Sequence, residues 1–219
     1  MRKKKAGRRI RYLALVLSGA ALVFAADSPT RHVLREVERR YNRAETLQIG
    51  FSETYSGPSR APRTERGTLY LRKPGKMRWD YTMPAGKLFI SDGKNLYLYV
   101  PGSNPEKMKL KETEDMRAPL AFLLGKLNFE KEFQNIEVKP EGADTLITAE
   151  PKSGNLPYSK VEFVVSPIFE IHKLRIHNLD QSVLDFAFDS EKVNPPLANS
   201  LFQFRAPPGT QMVEGGGGR

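Results

Sequence analysis

Gly67-Thr68-Leu69-Tyr70-Leu71-Arg72-Lys73-Pro74-Gly75-Lys76-Met77-Arg78-Trp79-Asp80-Tyr81 holds two strand-like runs about a turn. Lys73-Pro74-Gly75 is the turn, because proline presets φ and glycine supplies a positive φ without strain. Side chains alternate across a strand, so Leu69 and Leu71 share one face. Met77, Trp79 and Tyr81 likewise share a face, while Arg78 and Asp80 take the other. Alternation of this kind marks antiparallel strands with one apolar and one wet side.

The pattern continues on both sides. Lys87 to Ser91 and Asn95 to Val100 flank Asp92-Gly93-Lys94, which reads as a tight hairpin. Leu88 pairs with Ile90 on one face there, and Tyr97 with Tyr99. Pro101 to Pro105 reads as a loop and Glu106 to Lys111 as a short strand. Upstream, Leu47 to Phe51 alternates with period two. The stretch 56–66, with Gly57, Pro58 and Pro62, reads as a loop. Before it, Ser28 is placed to cap a helix and Pro29 to occupy its first turn. Val33, Leu34, Val37 and Tyr41 recur at helical spacing opposite Arg35, Glu36, Glu38 and Arg39. That helix is expected to pack on the sheet.

A second helix is expected at Pro119-Leu120-Ala121-Phe122-Leu123-Leu124, closed by Gly125. Further strands are expected at Phe133 to Lys139, Thr145 to Pro151, Lys160 to Ser166, Ile168 to Asn178 and Ser182 to Glu191. A last short one is expected at Phe202-Gln203-Phe204. In these strands Phe163 and Val165, Leu174 and Ile176, and Phe186 and Phe188 form co-facial pairs. About ten short antiparallel strands with little helix between them predict a mainly β fold, a barrel or a strongly curved sheet. The two helices are placed to cover its open side.

Composition narrows the function. The chain has 219 residues, 35 Lys and Arg, 25 Asp and Glu, and no Cys, for a net charge of +10. Residues 1–26 hold seven basic residues and no acid; setting them aside leaves 28 basic against 25 acidic. The basic balance therefore belongs to an N-terminal leader. There a basic stretch from Arg2 to Arg11 precedes an apolar run from Tyr12 to Ala26, shorter than the ~20 residues of a membrane span. Small residues at Ala25 and Ala26 suit signal peptidase, so 1–26 reads as a cleaved signal peptide. Arg8-Arg9 lacks the rest of a twin-arginine motif. Residues 27–212 read as one exported domain and 213–219 as a flexible Gly-rich tail. Without cysteine, the chain makes no disulfide, no thiolate metal site and no N-terminal lipoprotein anchor of its own.

No catalytic constellation stands out. His172 and His177 lie five apart on one strand, which does not suit a shared metal. Glu112, Glu114 and Asp115 read as a solvated loop. Arg60, Arg63, Arg66, Arg72, Lys73, Lys76 and Arg78 interleave with Tyr70, Trp79 and Tyr81, a mixture that can bind single-stranded nucleic acid. Strand alternation and export explain the same residues, and no nucleic-acid partner is expected. No enzyme activity, metal or cofactor is expected either. The aromatic and aliphatic strand positions fit a packed core or a cavity for an apolar ligand, and spacing does not separate the two.

The segment Gly67 to Tyr81 resembles the signature of the LolA family, periplasmic carriers of outer-membrane lipoproteins. The resemblance extends through Pro84, Ile90-Ser91-Asp92-Gly93-Lys94, Leu96-Tyr97-Leu98-Tyr99, the apolar helix near Phe122, and Phe202-Gln203-Phe204-Arg205-Ala206-Pro207-Pro208-Gly209. It implies an incomplete, strongly curved antiparallel β-barrel with helices as a lid over an apolar cavity. It implies a periplasmic monomer that takes acylated lipoproteins from an inner-membrane ABC transporter and passes them to an outer-membrane acceptor. A binder of another lipid or glycolipid on a related fold is the alternative. The expected lining is Leu69, Leu71, Met77, Trp79, Leu88, Ile90, Phe122, Leu123, Phe163, Val165, Leu174 and Phe186. Family members often carry Arg before the signature proline, bonding the lid backbone; here Lys73 stands there, with Arg72 beside it. Met77 stands where the family often has Phe. The chain after Pro208 is short for this family.

Overall fold

The computed structural model describes residues 28–109 and 127–215. The leader 1–26 and the apolar helix expected at 119–124 lie outside the described residues. Helix α1 spans Pro29–Arg43. Ser28 caps it, its side chain accepting from the Arg31 amide at 3.3 Å, and Pro29 begins the first turn. Leu34, Val37 and Tyr41 form its buried stripe.

Among the described residues, twelve strands make one sheet. They are β1 (Thr46–Gly57), β2 (Arg60–Arg72), β3 (Lys76–Met83), β4 (Ala85–Asp92), β5 (Asn95–Tyr99) and β6 (Glu106–Lys109), then β7 (Phe133–Glu141), β8 (Asp144–Pro151), β9 (Tyr158–Val165), β10 (Ile171–Asn178), β11 (Val183–Val193) and β12 (Val213–Glu214). A one-turn helix α2, Phe129–Glu132, precedes β7. The order is β12-β6-β5-β4-β3-β2-β1-β11-β10-β9-β8-β7, and the sheet is curved and unclosed. Two meanders, β1–β6 and β7–β11, thus join along one seam where β1 pairs antiparallel with β11. Among the described residues only β12 runs parallel to its neighbour, β6.

Several segments differ from the sequence reading; the strand expected from Ile168 begins at Ile171, and the short helix α2 is not among the expected elements. Residues 56–66, read as a loop, are mostly strand, because β1 and β2 run on to a turn at Pro58-Ser59. Thr54 and Thr64 share a hydroxyl hydrogen bond of 2.9 Å across this extension. β3 reaches β2 only from Arg66 onward, so Pro62 lies where no amide is required on that side. The strand expected at Phe202–Phe204 is a 3-10 turn, Asn199–Phe202, followed by irregular chain. Prolines 195 and 196 precede it, and its neighbouring carbonyls at Leu197 and Leu201 accept from Arg72 and Arg78 rather than from a strand. Val213 and Glu214, read as the start of a tail, pair with Glu106 and Lys107.

Both tight turns of the first meander form as read. Gly75 and Gly93 take φ of +70° and +95°. The Ser91 hydroxyl ties the two turns together, donating to the Gly75 carbonyl at 2.7 Å. Gly67 has a different role. A Cβ there would lie 2.0 Å from the Asp80 carbonyl oxygen and 2.9 Å from the Phe51 ring. The missing side chain lets the Phe51 and Tyr81 rings meet edge to face at 5.2 Å.

Candidate functional site: the apolar inner face

Residues directly opposite on neighbouring strands share a face. The register therefore traces one side of the sheet from strand to strand. Leu47, Ile49 and Phe51 of β1 stand opposite Leu71, Leu69 and Gly67 of β2. Leu71, Leu69 and Gly67 stand opposite Met77, Trp79 and Tyr81 of β3. Across the seam, Phe51 faces Phe188 of β11. Phe186 and Leu184 face Leu174 and Ile176 of β10, which face Phe163 and Val161 of β9. Ile147 and Ala149 of β8 complete the row. The buried stripe of α1 belongs to the same contiguous apolar cluster, as do Leu127, Phe129 and Phe133. The helix thus lies over this face, which is the inner one.

Aromatic rings divide the inner face in two. On the β1–β3 side, Trp79 meets Phe51 edge to face at 4.6 Å and Phe186 at 5.9 Å. Phe186 stacks on Phe188 at 5.8 Å. On the β7–β9 side, Phe129, Phe133 and Phe163 form a second group with centroids 5.5–6.2 Å apart. The three rings of the second group are buried, with Ile136, Val138 and Leu156 half-buried against the cluster. The first grades outward: Phe51 and Trp79 are buried, while Tyr81, Phe89, Leu184 and Phe188 are half-buried.

Eight of the expected lining residues meet here: Leu69, Leu71, Met77, Trp79, Phe163, Val165, Leu174 and Phe186. Leu88 and Ile90 do not. Leu88 stands opposite Asp80 and Ile90 opposite Arg78, on the outer face. The segment following β11 crosses that face. Arg78 donates to the Leu201 carbonyl at 3.2 Å, and Phe204 stacks on Tyr97 at 5.2 Å. Ile90 is only 1% exposed beneath this layer. The inner positions of β4 and β5 belong instead to Phe89, Ser91, Leu96 and Leu98. Phe122 and Leu123 lie outside the described residues.

Two sets of contacts hold α1 against the sheet. Lys73 Nζ donates to the Tyr41 and Asn42 carbonyls at 2.6 and 3.2 Å, at the end of the helix where carbonyls lack helical partners. A cation at a helix C-terminus is also favoured by the helix dipole. Burial pushes the Lys73 ammonium pKa down. Arg72 points to the outer face and donates to the Leu197 carbonyl at 2.8 Å. The second set centres on Glu191 of β11, whose side chain is 7% exposed. Arg40 pairs with it at 2.6 Å and with Glu170 at 2.7 Å. The Tyr41 hydroxyl donates to Glu191 at 2.8 Å and accepts from the Ile171 amide at 2.9 Å. Burial, then the charge of Glu191, raises the Tyr41 pKa, so this phenol stays protonated and continues to donate.

One end of the inner face is polar, and the sequence reading missed it. Glu53, Glu65, Lys87 and Tyr81 meet there, because each occupies an inner position on its strand. A charged residue every second position looks like an outer face, so the strand pattern gave no signal. Among the described residues no group of three or more His, Asp or Glu is arranged to hold a metal ion. No described helix is long and apolar enough to cross a membrane.

Residues 42–205 match the family model described as outer membrane lipoprotein carrier protein LolA. Outer-membrane lipoprotein carrier protein of Methylobacillus flagellatus is 29% identical over 147 residues, 67% of this chain and 71% of its own. That of Chromobacterium violaceum is 24% identical over 203 residues, 91% of this chain and 97% of its own. Among solved structures, a DUF1329 family protein from Desulfovibrio piger superposes with a TM-score of 0.51 at 11% identity. It covers 81% of this chain and 98% of that one, which is a likeness of fold.

Proposed function

The chain belongs to the LolA family of outer membrane lipoprotein carrier proteins, and on that premise we propose that it carries acylated lipoproteins, holding their acyl chains against the inner face of the sheet. The supporting observation is the continuous apolar face from β3 through β1 and β11 to β8, covered by a helix that lays its apolar stripe on it and is anchored by Lys73 and Glu191. Each CH₂ exposed to water costs about 0.8 kcal/mol, so a triacylated chain end does not cross an aqueous space unshielded. The face provides the shield. α1 is the movable part, because its polar attachments exchange with water more readily than sheet ladders do.

The carrier works in the periplasm after removal of residues 1–26. It receives cargo from an inner-membrane ABC transporter and gives it to an outer-membrane acceptor, making and breaking no covalent bond. Tight binding alone would stall that transfer; net movement requires an acceptor that binds the chains better, or a cover that opens. Native mass spectrometry of the mature protein purified from a periplasmic fraction tests this. A bound triacylated protein or peptide supports the carrier reading. Bound phospholipid or glycolipid replaces it with carriage of another lipid. A protein that emerges empty and takes up no added lipopeptide has a filled core, and the proposal fails.

A further inference from the structure

The polar end of the inner face has an unusual composition for its position. Glu53 stands directly opposite Glu65 on β2 and opposite Phe186 on β11. The Glu65 side chain is 6% exposed and that of Lys87 17%. Lys87 pairs with Glu65, which is also paired with Arg63 at the surface. Burial, then the charge of neighbouring Glu53, raises the Tyr81 phenol pKa. The Lys87 ammonium lies over the Tyr81 ring, 4.2 Å from its centroid. That ring's other neighbours are Phe51 and Trp79. Half-buried Tyr81 therefore joins the buried aromatic wall to the charged group.

As a stabilising device this arrangement is poor. Like charges directly opposite on adjacent strands repel, and a buried ion pair is seldom better than the apolar residues that would replace it. Burial pushes the Glu53 carboxyl above its ordinary range and the Lys87 ammonium below its own. As a binding surface it is well composed. It offers donors from Lys87 and Tyr81 and acceptors from Glu53 and Glu65, at the edge of an apolar wall. A molecule whose acyl chains hang from ester and amide groups needs that sequence of surroundings. Its carbonyls accept hydrogen bonds, its amide N–H donates, and both sit where the hydrocarbon begins.

We propose that Glu53, Glu65, Tyr81 and Lys87 form a seat for the ester and amide linkage of the cargo, fixing its polar junction at this end while the acyl chains run along the Phe51, Trp79 and Phe186 wall. The inference rests on the carrier reading. Lys87 and Tyr81 donate to the ester carbonyls. Glu53 accepts from the amide N–H of the lipidated residue, which separates a lipopeptide from a diacylglycerol with the same esters.

The test measures affinities of wild type, Lys87→Met, Lys87→Arg and Glu53→Met for three probes. These are a synthetic tripalmitoylated cysteinyl peptide, dipalmitoylglycerol, and a pyrene-bearing alkane with no ester or amide. Thermal midpoints are recorded in parallel. Lys87→Met is expected to weaken the lipopeptide and the diacylglycerol at least tenfold and the alkane less than twofold, with Lys87→Arg largely restoring both. Glu53→Met is expected to weaken the lipopeptide alone. If equal loss for all three probes is seen, the cluster is a structural prop and the seat is wrong. Unchanged affinities in every variant also overturn it. A wild type that binds none of the three overturns the carrier reading itself, a result distinct from either.

Discussion

Of the glycines in the first meander, Gly67 leaves the least room for a side chain. Any side chain there meets the Asp80 carbonyl, which belongs to the neighbouring strand's backbone and has no rotamer to escape into. Gly67→Ala should cost about 2–3 kcal/mol, at the upper end for an inserted methyl. Urea titration of the variant checks it; a loss under ~0.5 kcal/mol would mean that β3 moves aside freely. Asp92 acts through its acceptors. Its Oδ1 takes the Lys94 and Asn95 amides, both at 2.7 Å, and its Oδ2 the Tyr97 hydroxyl at 3.2 Å. Burial alone would raise this carboxyl; the hydrogen bonds from Asn95, Lys94 and Tyr97 together outweigh it and hold the carboxyl below its usual range. A depressed folded pKa contributes stability above the unfolded value of about 3.9 and loses it as pH falls through the folded value. Asp92→Asn should cost about 1 kcal/mol at pH 7. The gap to wild type should shrink in acid below the folded pKa, which thermal melts across pH 2–7 would follow.

At the scale of elements, α1 is the piece whose attachment matters most. Removing the Lys73 donors leaves the Tyr41 and Asn42 carbonyls without that partner, so Lys73→Met should cost about 1 kcal/mol. Amide exchange should quicken in α1 while β8–β10 keep their protection. Lys73→Arg should hold the same carbonyls with a planar fork of donors and slow the release of bound lipid. Unchanged release kinetics would place the controlling contact at Glu191 instead. The cap at Ser28, the turns at Gly75 and Gly93, and the co-facial sets in β3, β9 and β11 were legible from spacing alone. Leu88 and Ile90 show where spacing stops. Alternation pairs them with each other but does not say which side they take. β4 is apolar on both sides, since Phe89 looks inward while the segment after β11 covers Ile90. The assignment depends on cross-strand register, which no local pattern encodes. The Glu53 and Glu65 end of the inner face was hidden for the opposite reason, because glutamates in strands ordinarily face water. The 3-10 turn at Asn199–Phe202 depends on Arg72 and Arg78, more than 120 residues away in sequence.

Across the molecule, the apolar inner face is both core and proposed cargo surface, so its variants test two properties at once. Trp79 touches Phe51, Tyr81 and Phe186 and is 5% exposed. Trp79→Asp places a carboxylate among those rings and should abolish lipid uptake. Trp79→Ala should cost about 3–5 kcal/mol of stability. Circular dichroism should still report the sheet in both, since the ladders on either side of β3 remain. Retained lipid uptake in the Asp variant would move the cargo to the β7–β9 half.

The seam between the two meanders has a consequence in time. Each meander pairs strands that follow one another closely in the chain, and loops of that length close fast. β1 cannot complete its ladder until β11 has been made, since Leu47 awaits Val193. Until then β1 presents a bare hydrogen-bonding edge beside Phe51 and Ile49, the kind of edge to which other chains add. A chain cut short before residue 183 would hold a first meander with a sticky border, and would aggregate rather than persist as a smaller carrier. The earliest strand to appear is thus among the last to be satisfied, and the work of keeping this protein soluble falls on the interval between them.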